Sequence, residues 1–124
     1  MGSPGNPDIS VPDDPSYVVS DGAELQLTVV IGEGQVGLST VLLDTTPVVS
    51  NQEAITDQPI GAGQDVRGKT LVVDTIVNDV NPLTNRVTVT YELTGGPAPQ
   101  TFVASGTASA AGAATFVEAM IALE

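Results

Sequence analysis

The sequence predicts an all-β chain folded as a two-sheet β-sandwich, and three observations carry that expectation. Apolar and polar residues alternate with period two in Glu24–Ile31 and again in Val87–Leu93, the pattern of strands buried on one face. Turn-forming Gly, Pro, Asn and Asp residues recur about every eight to twelve residues, which divides the chain into seven or eight strands. Val and Thr are abundant, aromatics make up only 3% and Trp is absent, so the core must be built from Val, Leu, Ile and Ala. Side chains branched at Cβ suit a pleated surface better than a helix. An immunoglobulin-like or Greek-key order is the first expectation and a small jelly roll the second. The Cys and Trp hallmarks of antibody domains are missing, because the chain has neither residue.

Taken in order, residues 1–16 hold four of the nine prolines and read as a flexible Pro-rich leader, with the end of a linker from another domain or a peptide that docks on a neighbour's sheet edge as the alternatives. Residues 17–124 read as one sandwich domain. Tyr17–Ser20 is a short strand closed by Asp21-Gly22. In Glu24–Ile31, Leu25, Leu27, Val29 and Ile31 share one face. Gly32-Glu33-Gly34 reads as a hairpin turn leading into Val36–Leu43. Asp44–Lys69 is the least regular stretch: Pro47-Val48-Val49 suggests a short edge strand, and Gln58–Gly63 has loop chemistry. This connection is long enough to carry the chain from one sheet to the other.

Gly68–Leu93 reads as the central hairpin, two long strands around a turn at Asn81–Asn85. In its first arm, Val72 and Ile76 share the second face with Asp74 and Asn78, as in a strand touched on both sides. Gly95–Pro99 is a wide turn before a strand at Thr101–Ala108. Thr115–Leu123 fits two periods. Val117, Ala119, Ile121 and Leu123 alternate as in a strand, whereas Thr115-x-x-Glu118 matches the capping box of a short helix. A strand following a hairpin loop at 110–114 is the first reading. No internal repeat is evident.

The net charge is −12, from fifteen acids and three bases. Residues 1–66 carry ten acids and no base. Such a chain repels phosphate backbones and anionic lipid, which excludes nucleic-acid partners. The apolar runs are too short for membrane insertion. With no Cys there is neither a disulfide nor a thiolate metal site, and with no His the commonest general base is missing.

Several motifs carry chemistry elsewhere. Gly32-Glu33-Gly34-Gln35-Val36-Gly37 is a formal G-x-G-x-x-G, but a strand-like run follows it where a phosphate-binding site needs a helix. Leu42-Leu43-Asp44-Thr45 and Val72-Val73-Asp74-Thr75 resemble the start of aspartic protease loops, yet the Gly of that pattern is replaced by Thr46 and Ile76. Ser39 has no base to activate it, and Lys69 reads as a solvated strand-start lysine. Asp74, Asp79 and Asn81 offer oxygen ligands near a turn and form the candidate Ca²⁺ site. No other cofactor is expected. The expected function is non-enzymatic: a structural or protein-binding module of a surface, secreted or assembly component, with extracellular or cell-surface placement favoured. Its partner would be another protein or a second copy in a homo-oligomer. A Ca²⁺-dependent carbohydrate- or ligand-binding module is the alternative.

Overall fold

The computed structural model describes residues 7–110 and 112–124; the first part of the expected leader, residues 1–6, lies outside them. Two short strands, β1 (Ile9–Ser10) and β2 (Ser16–Tyr17), precede β3 (Glu24–Ile31), β4 (Val36–Leu43), β5 (Thr46–Gln52) and β6 (Ile55–Ala62). One helical turn, α1 (Gly63–Val66), leads to β7 (Thr70–Asn78), β8 (Arg86–Thr94), β9 (Gln100–Thr107) and β10 (Ala114–Leu123). The strands form two sheets, a six-strand sheet in the order β1-β10-β7-β4-β5 with β2 also on β10, and a four-strand sheet in the order β6-β3-β8-β9. The protein is a β-sandwich. Its core takes alternate residues from both sheets, with Leu25 and Leu27 of β3, Leu71, Val73 and Val77 of β7, Val87 to Leu93 of β8 and Val117 to Leu123 of β10. Each large aliphatic side chain buried there contributes roughly 1.5–3 kcal/mol.

The chain order has a symmetry that the residues do not show. β3 lies in the four-strand sheet, β4 and β5 form a hairpin in the other, and β6 returns to pair with β3. β7 to β10 repeat this path with the sheets exchanged: β8 and β9 form a hairpin opposite, and β10 returns to β7. Each unit's hairpin docks on the other unit's first strand, β4 on β7 and β8 on β3. The last two long strands, neighbours in the immunoglobulin arrangement, lie here in opposite sheets.

Three expected hairpins are therefore arches. The two arms of Gly68–Leu93 do not pair; β7 and β8 face each other across the core, as do β3 and β4, and β9 and β10. Alternation reports which face is buried, and a hairpin and an arch both bury the same face, so periodicity cannot separate them. The β7–β8 arch is held by Gln35, which is buried. Its Nε2 donates to the carbonyls of Thr84 and Arg86, and its Oε1 accepts from the N–H groups of Val80 and Asn81. Asn81 Nδ2 adds a bond to the Glu33 carbonyl at 2.8 Å, joining this arch to the β3–β4 arch.

Residues 55–62 correct the loop expectation for Gln58–Gly63. β6 is an edge strand with irregular register against β3, and it carries Pro59 and a left-handed Asp57. An edge tolerates a residue without N–H, and bulges discourage further pairing. Thr115–Leu123 is a strand, since Thr115, Val117, Ala119, Ile121 and Leu123 are all buried. Residues 7–16, expected as flexible, run parallel to β10. Asp8 N–H donates to the Phe116 carbonyl, the Asp8 carboxylate accepts from Phe116 N–H, and Ala122 N–H donates to the Pro15 carbonyl.

Candidate functional site

The two outer faces differ in chemistry. On the four-strand sheet, β8 presents Thr88, Thr90 and Glu92, and its neighbours add Thr28, Thr101 and Ser105. That face is mostly polar, as a solvated sheet face should be, although Val30 and Val103, each 47% exposed, flank Thr90 on it. On the six-strand sheet, the registers of β4, β7 and β10 set three rows side by side. Leu38, Ile76 and Phe116 form the first row; Thr40, Asp74 and Glu118 the second; Leu42, Val72 and Met120 the third. Leu38, Ile76 and Met120 are 42%, 46% and 55% exposed. Apolar side chains thus bracket a polar row on a face that, among the described residues, no other element covers.

Asp74 and Glu118 stand directly opposite one another on β7 and β10. Oδ1 of Asp74 is buried, and among the described residues it accepts no bond from an N–H group or a hydroxyl. The Glu118 carboxyl is pushed up to about 7, first by desolvation and then by Asp74, which acts both as hydrogen-bond partner and as a like charge. Beneath the pair lies a polar patch in the core. Ser39 Oγ and Thr75 Oγ1 are 2.7 Å apart, and the Tyr91 hydroxyl faces them from the other sheet. Burial raises the pKa of Tyr91, reinforced by the charges of Asp74 and Glu118 and opposed by the nearby Thr75 hydroxyl, while by geometry the Tyr91 hydroxyl has no hydrogen-bond partner among the described residues.

The residues of the candidate Ca²⁺ site are not brought together. Asp74 lies on the outer face of β7, while Asp79 is 4% exposed at the start of the β7–β8 arch. Five extended residues put them about 16 Å apart. Asn81 is occupied in the arch, where its Oδ1 accepts from Leu83 N–H. Neither carboxylate oxygen of Asp79 has a partner among the described residues. Among those residues, no group of three His, Cys, Asp or Glu side chains converges as metal ligands. No helix among them is long and apolar enough to cross a membrane.

The other motifs resolve into fold. Asp44 closes the β4–β5 turn and accepts from Thr70 N–H, one strand end away from Asp74, so the two share no proton. A Cβ on Gly37 would sit 2.4 Å from the Ile76 carbonyl, and one on Gly34, in the left-handed region at φ +70°, would meet Asn81. The G-x-G-x-x-G spacing thus answers to arch packing. Ser39 is buried against Thr75, and Lys69 is exposed.

Glu118 is the site residue that sequence reasoning missed. The signal was present in Val72 and Ile76 on the second face of β7, and Phe116 and Met120 repeat it on β10. Apolar side chains on both faces of a strand mark an outer face that is more than solvated. Comparisons with protein-family models, characterised proteins and solved structures find no match to this chain.

Proposed function

We propose that the protein is a non-catalytic β-sandwich module that binds another protein through the outer face of the six-strand sheet, as part of a surface, secreted or assembly component. The observation that carries this reading is the pair of apolar rows, Leu38-Ile76-Phe116 and Leu42-Val72-Met120, which no other element covers among the described residues. The largest apolar patch on a soluble chain is often a functional surface. One feature favours a different protein over a second copy: a second copy would oppose like charges in a chain of net charge −12. Three strands about 4.8 Å apart, with rows about 6.6 Å apart, present on the order of 300 Å², the size of a small contact with either partner. The test is selection of random displayed peptides on the immobilised protein. Enriched peptides should lose binding to the double variant Leu38→Thr/Ile76→Thr, which removes apolar area and keeps strand propensity. Peptides that bind the variant equally well would overturn the reading.

The Ca²⁺-dependent ligand-binding alternative keeps one supporting observation, the buried Asp79 carboxylate without a partner among the described residues. It predicts a melting temperature that rises with millimolar Ca²⁺ and returns with EDTA, by mass action on the folded state. An unchanged melt, or an equal rise in Asp79→Asn, would remove it.

A further inference from the structure

We infer that the partner's contact on this face is an arginine side chain, presented from an apolar segment and seated on Asp74 and Glu118. The inference rests on the reading of the face as a protein-docking surface and names the chemistry that the surface recognises. Two carboxyl groups lie side by side at the centre of an apolar surround, and among the described residues one of their oxygens is buried with no N–H or hydroxyl donor. Among the described residues, no side chain supplies a counter-charge to the pair. Arg67 pairs with Asp21 and Arg86 with Glu33, while Lys69 is exposed and makes no ion pair among the described residues. The groups that flank the pair are neutral or acidic: Thr40 on β4, Ser10 on β1, and Asp14, which lines the cleft beside Glu118 and Met120.

A guanidinium suits this arrangement better than an ammonium. Its planar fork can bond both carboxylates at once, and its weak hydration lowers the cost of leaving water. The flanking apolar rows would close around the arginine stem and exclude water, which strengthens the charge contact. The raised pKa of Glu118 adds a sign. An arginine favours both carboxylates ionised, so binding releases the proton that Glu118 holds, and affinity rises with pH through about 7.

The experiment uses the peptides enriched on the intact protein, each resynthesised with citrulline in place of arginine, an uncharged side chain of nearly the same shape. Binding is measured to the wild type, to Asp74→Asn/Glu118→Gln and to Leu38→Thr/Ile76→Thr, at pH 6 and pH 8. The expected peptides carry arginine among apolar residues. Citrulline should weaken them by about 10- to 100-fold on the wild type, and the amide variant should do the same. The citrulline comparison uses only wild-type protein, so it stands even if a variant folds poorly. Peptides that require Leu38 and Ile76 but lack a base, or are indifferent to citrulline, would overturn the inference and leave the docking face standing. Peptides indifferent to the Leu38→Thr/Ile76→Thr change, or no enriched peptide, would overturn both.

Discussion

Gln35 uses its whole side-chain amide on four backbone groups of the β7–β8 arch. Its replacement by Ala would strand two carbonyls and two N–H groups in a partly buried site. Gln35→Ala should therefore lose about 3 kcal/mol, read as a lower urea midpoint at unchanged slope. Glu118 makes a prediction of opposite sign. Its folded pKa is raised from an ordinary 4.5 to about 7. The native state then binds the proton more tightly than the unfolded chain, so that contribution is complete below about 4.5 and lost as pH rises through 7. Glu118→Gln should match the wild type at pH 4 and exceed it at pH 8. The gain should be roughly 1 kcal/mol, after allowance for the solvent that screens a part-exposed pair. Chemical denaturation at the two pH values checks it, and a constant difference would show that the pair does not titrate as described.

The arches and the edges set the predictions for elements. Gly32 and Gly37 belong to the same formal motif but differ in surroundings. A Cβ at Gly32 would make ordinary contact 3.5 Å from the Thr88 carbonyl, whereas at Gly37 it would lie 2.4 Å from the Ile76 carbonyl. Gly32→Ala should change stability by less than about 0.5 kcal/mol, and Gly37→Ala should cost more than about 2 kcal/mol. Equal effects in thermal melts would refute the packing explanation. The leader covers the β10 edge through backbone hydrogen bonds, and Ile9 packs on Gly106 of β9. Removing residues 1–15 should lower stability by about 1–3 kcal/mol while the circular dichroism stays that of a sandwich. An unchanged melting temperature would mean that the leader adds nothing to the fold.

At the scale of the molecule, the repeated path of β3–β6 and β7–β10 interlocks the two halves. Each half alone would hold only one pair of strands in each sheet, and isolated two-strand ribbons are marginal in water. Chains cut between Arg67 and Gly68 should be unfolded separately and should recover a sandwich when mixed. Circular dichroism of each fragment and of the mixture decides this, and a folded single fragment would contradict the interlocked account.

The sequence alone determined the long strands other than β6, the buried face of those that alternate cleanly and the acidic, His-free and Cys-free composition of the chain. These are local properties: a period of two, β-branched residues and a charge count can be read without knowing any neighbour. Even the ambiguous Thr115–Leu123 resolved to the strand that its alternation favoured. Only the tertiary structure decided which strands pair. Asn81-Pro82-Leu83-Thr84-Asn85 serves an arch as well as a hairpin, and what selects the arch is the docking of β7 between β4 and β10, strands distant in sequence. The same pairing decided the site. Asp74 and Asp79 are close in the chain but separated by the strand, on its outer face and in its arch, whereas Asp74 and Glu118, far apart in the chain, are set side by side by the register of β7 and β10.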